Sequence, residues 1–226
     1  MEIQTTQVSQ NYQNNVTSES TIKVDKVFEN MINEDGSLKI SLNETELKKL
    51  SYEEAKELRE KLEENGYLKK DNNENQLYSV GNTLLSVINF TNDDDFNKTL
   101  FETMKTKENP GLYLDEVKHN IEYEGGNRQF PWPTISLDEA QGNYTPFSNE
   151  QYKNLDIQQF LTNIIETYQE LLLKLPSYLD REETQETLDN YKELQKNYQE
   201  KQDEKKAILE NLTKNNKQNP LINITE

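Results

Sequence analysis

The chain has one histidine, His119, three residues after Glu116. On a helix this Glu-x-x-His spacing puts a carboxylate and an imidazole on one face, where both could hold a metal ion. A di-metal bundle site needs the motif twice, and one histidine cannot supply it. A Ser-His-Asp arrangement needs a histidine base oriented by a carboxylate. Asp115 lies close in sequence, but no nucleophile stands out. His119 is therefore expected as a plain helix-surface side chain.

Two stretches have the oxygen-rich look of calcium loops, "INEDGSLKISL" and "NDDDFNKTLFE". An EF-hand needs oxygen ligands at positions 1, 3 and 5, glycine at 6 and glutamate at 12. With Gly36 at position 6, Met31 and Leu42 fall at 1 and 12. With Asp93 at position 1, Lys98 and Met104 fall at 6 and 12. Both registers fail, and the stretches are expected as turns and helix caps. The chain has seven glycines, and none of them forms a phosphate-binding motif. Glu166 and Glu170 sit one helical turn apart, but paired acids need a pocket to split their pKa values. No catalytic residue, cofactor or metal ligand is expected, and the chain is expected not to be an enzyme.

The aromatic residues offer a different chemistry, that of contact. "NRQFPWPTISLDEAQGNYTPF", residues 127–147, holds the only tryptophan, Trp132, between Pro131 and Pro133. The prolines fix φ and bias Phe130 and Trp132 towards extended backbone. One expectation is an internal strap, with Phe130, Trp132, Ile135 and Leu137 across a C-terminal helix. The other is an exposed polyproline-type motif offered to a partner's aromatic groove. Phe130, Trp132, Tyr144 and Phe147 are the candidate partner-binding residues of this segment. Tyr191 and Tyr198 are the candidates on the last helix.

The elements that must position these residues are mostly helices. The 226 residues are 32% hydrophobic and 30% charged, so the core must be small or divided. The formal net charge is −17. That field repels phosphate backbones, which argues against nucleic acid and favours a basic protein partner. With no cysteine, disulfides and thiolate chemistry are excluded. No apolar run reaches the ~18–20 residues of a membrane span. The first 20 residues have no basic or apolar region of a signal peptide, and the cytoplasm is the expected compartment.

Residues 1–20 are expected as a disordered tail. Residues 21–125 follow as a small, mostly helical domain, and 126–150 as an extended linker or strap. Within 21–81 the order is helix, short strand at 38–42, helix, the capped helix "SYEEAKELREKLEENG", and two short strands around 71–75. That order resembles a winged helix-turn-helix. The capped helix, which would be its recognition helix, carries Glu53, Glu54, Glu57, Glu60, Glu63 and Glu64, so the resemblance implies a protein-binding version. Two further helices are expected near 91–106 and 112–121, the first begun by Thr91 or Asn92. Residues 151–213 are expected as an antiparallel hairpin of long helices, and 214–226 as a tail. Ile157, Phe160, Leu161, Ile164, Ile165, Tyr168, Leu171, Leu172 and Leu175 form the apolar stripe of its first arm. The second arm is longer and sparser, and its far end is free to pair with another chain.

The fold class expected is thus mainly α with minor β. The function expected is that of an acidic interaction, adaptor or assembly module. It would bind a protein partner or self-associate through the long C-terminal helix. The Ser/Thr/Asn/Gln-rich start, with no basic residue, also resembles the leaders of bacterial type III or flagellar secretion substrates. That resemblance implies an effector or assembly factor exported without a cleaved signal. A winged-helix regulator is the remaining alternative.

Overall fold

A computed structural model describes residues 23–39, 44–68, 83–174 and 181–218. The described residues are mainly α-helical and divide into two compact units at Leu155/Asp156. No named strand occurs among them; the β content is one antiparallel bridge, Ile32 to Leu38. Asn33–Ser37 makes the turn of that bridge, with Gly36 at φ +80°, a conformation that favours glycine. The rest of the strand expected at 38–42, and the hairpin around 71–75, lie outside the described residues. The wing on which the winged-helix reading depends therefore falls outside the described residues.

Helix α1 (23–30) buries Val24 and Val27, and Met31 follows it into the core. The short α2 (Glu44–Leu47) leads to α3 (Tyr52–Glu64). Ser51 caps α3 through the Glu54 amide, and the Glu54 side chain accepts from the Ser51 amide in return. Tyr52, Ala55, Leu58 and Leu62 are fully buried, as their spacing predicts. Arg59 is buried beside them, where its guanidinium donates to the Leu85 carbonyl at 2.8 Å and to Glu63.

After α4 (Thr83–Ser86) comes α5 (Asp94–Thr106). Its N-cap is Asp93, whose side chain accepts from the Phe96 amide. The expected start at Thr91 or Asn92 is thus two or one residues early. Thr91 is used instead to hold the turn, bonding the Asp93 amide and the Asn97 side chain. Phe96, Leu100, Phe101 and Met104 are fully buried. Helix α6 (Pro110–Glu124) begins with Pro110 in the first turn, where no amide hydrogen is needed, under an Asn109 cap. It packs on α4 and α5 through an apolar face that includes Leu114, Val117 and Ile121. Its other face carries the site described below.

Residues 127–155 complete the first unit. They hold two one-turn helices, α7 (Leu137–Ala140) and α8 (Asn149–Lys153), each started by a serine capping box.

The second unit contains α9 (Ile157–Lys174) and α10 (Arg181–Gln218), which pack on each other. The Tyr191 ring of α10 stacks on Tyr168 and meets Phe160 edge-on, both at 6.0 Å. At 1.5 Å per residue, α9 is about 27 Å long and α10 about 57 Å. Burial along α10 stops at Tyr198 among its described side chains. No helix of the described residues is long and apolar enough to cross a membrane.

Candidate binding cleft

Spacing on α6 brings Asp115, Lys118, His119 and Glu122 to one side of the helix. Gly125 and Gly126 end α6, with Gly126 at φ +79°, and the chain turns back along that side. Together these residues and Arg128, Trp132, Ile135, Tyr144 and Tyr152 line a cleft of about 420 Å3.

Glu122 is the anchor. Its side chain is 4% exposed and accepts three hydrogen bonds. Arg128 Nε donates to Oε2 at 2.5 Å, Tyr152 Oη to Oε1 at 2.6 Å, and the Phe147 amide to Oε1 at 3.1 Å. A buried carboxylate is tolerable only when paired and bonded in this way. One side chain therefore ties three points of the return segment to α6. Gly125 allows the approach: any Cβ there would collide with the Phe147 ring.

Arg128 reaches further. Its Nη2 donates to the Tyr144 hydroxyl at 2.9 Å, and its guanidinium carbon lies 4.2 Å from the centre of the Tyr144 ring. Burial opposes the arginine's charge, but hydrogen bonding and opposite charge from Glu122, with Tyr144 adding to them, outweigh it and raise its pKa.

His119 is buried, 3% exposed, rather than on the helix surface as expected. Residues 130–132 cover it. Its Nε2 donates to the Phe130 carbonyl at 2.9 Å, and the Trp132 ring meets it edge-on at 5.6 Å. Asn120 accepts from the Trp132 amide at 2.9 Å. Burial holds the imidazole below its ordinary pKa. The Phe130 carbonyl and the Glu139 and Glu122 charges oppose that, and the Arg128 charge adds to it. The neutral ring is therefore the resident form at neutral pH. Glu116, the other half of Glu-x-x-His, is buried as well and does not line the cleft. Among the described residues, no group of three or more His, Asp and Glu side chains gathers around a common point for a metal ion.

Four of the six expected partner-binding residues come together here. Trp132 and Tyr144 line the cleft. Phe147 packs edge-on against Tyr152 at 5.5 Å, and Phe130 is 45% exposed. The segment expected as a linker or strap is thus part of the first unit, where it bonds His119, Asn120 and Glu122 of α6 and packs on Tyr152 of α8. Ile135 and Leu137, expected to pack in a strap, are 54% and 74% exposed. Tyr191 and Tyr198 are a different case: both are buried in the second unit, and the Tyr191 ring packs on Phe160 and Tyr168 of α9.

Sequence reasoning passed over Glu122, Arg128 and Tyr152. One signal was present. Only three of the 25 basic residues are arginines, and Arg128 stands in a segment with three charges in 21 residues. An isolated arginine among aromatics suits a buried, forked ion pair better than a solvated face.

Compared with known proteins, the chain matches no family model, no curated protein and no solved structure.

Proposed function

We propose that the protein is a non-enzymatic helical interaction module that assembles through the distal half of α10. One observation carries this reading. Ile208, Leu209 and Leu212 are 60%, 58% and 56% exposed, on a helix whose earlier apolar positions are buried. Thr184, Thr187, Tyr191, Leu194 and Tyr198 are spaced alternately by three and four residues, and all are buried. The same spacing continues without a break through Lys201, Lys205, Ile208 and Leu212. A seam of this period is completed by a second helix.

The occupant is a second copy of the chain, running antiparallel. A parallel, in-register pair would set Lys201 against Lys201 and Lys205 against Lys205. The antiparallel register pairs Ile208 with Lys205 and Leu212 with Lys201. Lysine stems then cover the aliphatic side chains while their ammonium groups reach water. In this reading α9 and the first half of α10 form an antiparallel hairpin joined across 175–180. The hairpin anchors α10, and its far end does the pairing.

The contact is small against the roughly 1,200 Å2 that a stable interface buries. Association should be weak, reversible and opposed by the net charge of −17. Sedimentation velocity over a concentration series tests it. The full chain should pass from monomer to dimer, more readily as salt screens the repulsion. Replacing Ile208→Glu and Leu212→Glu together should hold it monomeric with unchanged circular dichroism. A monomer at every concentration, or unaltered association of the double variant, would sink the reading.

A further inference from the structure

We propose that the cleft on α6 is a binding site for a carboxylate carried on an apolar group. The argument starts from the donors of Arg128. A guanidinium has five N–H groups. Glu122 takes the one on Nε and the Tyr144 hydroxyl takes one from Nη2. No described residue accepts from the other three. The side chain is nevertheless only 13% exposed, and it lines the cleft. None of these nitrogens is among the buried polar atoms without a partner, so the open donors face the cleft, where a ligand can take them. The Tyr144 hydroxyl adds a fourth. It accepts from Arg128, and its own proton has no acceptor among the described residues.

These donors ask for a planar anion. The end of the guanidinium fork matches a carboxylate with two parallel hydrogen bonds, and the tyrosine hydroxyl can supply a third. Glu122 cannot take this role from a ligand, because both its oxygens are already engaged. The rest of the lining says what the carboxylate is attached to. Trp132, Ile135 and Tyr152 give an apolar and aromatic wall. The volume of about 420 Å3 lies within the range of small-ligand pockets, about 300–1,000 Å3. Lys118 and Asp115 also line the cleft and balance each other in charge. Specificity therefore rests on the fork rather than on a general positive field.

A free organic acid and the C-terminal end of a peptide offer the same chemistry. The experiment separates them, and it is independent of α10, which contributes no residue to the cleft. Trp132 is the only tryptophan and lies in the lining, so its fluorescence is the reporter. The full chain is titrated with phenylacetate, with phenylacetamide, and with a tripeptide ending in phenylalanine whose terminus is free or amidated. Phenylacetate, or the free-ended peptide, should give a saturable change. The matching amide should bind roughly tenfold more weakly or worse. Tighter binding of the peptide assigns the peptide terminus as the ligand, and tighter binding of phenylacetate assigns a small acid.

Arg128→Lys keeps a charge for Glu122 but removes the fork, and it should abolish the preference for acid over amide. Tyr144→Phe keeps the ring over the guanidinium and should weaken the acid severalfold while leaving the amide unchanged. This second variant keeps the test sound if the first fails to fold. The proposal is overturned if wild type gives no saturable response. It is equally overturned if acid and amide bind alike, or if Tyr144→Phe retains the full preference.

Discussion

Two regions of this chain carry much of its exposed or half-exposed apolar surface, and they are built in opposite ways. Residues 127–152 are mostly irregular, sparse in charge, and rich in Phe, Trp and Tyr. The far half of α10 is regular helix, densely charged, with three aliphatic side chains. Periodicity suggests that the helix should be the better ordered of the two in its contacts. In the structure it is the irregular segment that is held at many points. Glu122, His119 and Asn120 of α6 each take a bond from it or give one to it. The helix satisfies its own backbone and needs no neighbour to exist, so its apolar face can stand open. An irregular segment has to find partners for its backbone and its buried charge. Here it finds them on one face of one helix.

The strongest way to break that contrast is to remove its central charge. Glu122→Ala leaves Arg128 largely buried without its ion-pair partner, and it removes the carboxylate that accepts from Tyr152 Oη and the Phe147 amide. Breaking one member of a buried pair costs about 3–5 kcal/mol. Urea unfolding should show a loss of that size. Lys174→Ala is the control, since its pair with Glu170 is 72% and 67% exposed and its loss should leave the unfolding midpoint unchanged. The monomeric α10 variant Ile208→Glu/Leu212→Glu should likewise change chain stability by no more than about 0.5 kcal/mol per site. If Glu122→Ala behaves like the controls, the return segment is not anchored as described.

A smaller effect comes from the close approach at Gly125. Gly125→Ala keeps a backbone conformation open to any residue, φ −78°, but its Cβ would fall inside the Phe147 ring. Phe147 must move, and its amide bond to Glu122 goes with it. Overpacking of this kind costs about 1–3 kcal/mol. Nothing stands within 4 Å of a Cβ at Gly126, so Gly126→Ala meets no clash. It suffers only the left-handed backbone, at about 1–2 kcal/mol. The two variants differ in one readout: only Gly125→Ala should also disturb Trp132 fluorescence, through the shared segment.

These residues also mark where the sequence was informative. The α3 stripe of Tyr52, Ala55, Leu58 and Leu62, its Ser51–Glu54 cap, and the α5 face of Phe96, Leu100, Phe101 and Met104 were legible. Each depends on residues within a few positions of one another. The cap of α5 slipped because Thr91, Asn92 and Asp93 are all good cap residues, and the choice among them is made by a contact with Asn97. Trp132 was legible as a residue that must dock, but not where. Glu122 was invisible among 42 acids. Its partners lie 6, 25 and 30 residues away, and no period links them. Buried His119 was misplaced to the surface for the same reason, since only the fold of residues 130–132 covers it.

The finest test of the contrast uses pH. His119 donates to the Phe130 carbonyl as a neutral ring, and burial holds its pKa below the ordinary 6.5. The unfolded chain therefore binds a proton at higher pH than the folded one. Stability that is full above about 6.5 is then lost as pH falls towards the folded value. Arg128 makes the charged ring still less welcome, while the carboxylates of Glu122 and Glu139 moderate the loss. Because these neighbours partly cancel, the effect should be smaller than that of Gly125→Ala. Thermal melts between pH 7.5 and pH 5 should show falling stability, with the Trp132 emission shifting towards its solvent-exposed value. His119→Gln retains a donor for the Phe130 carbonyl but does not titrate in this range, so it should flatten both changes. The contrast between the regions predicts one thing more. The α10 seam has lysines and no histidine, so dimer formation in the wild type should not follow the histidine titration. Association that tracked the Trp132 shift would mean that the cleft and the distal helix are coupled.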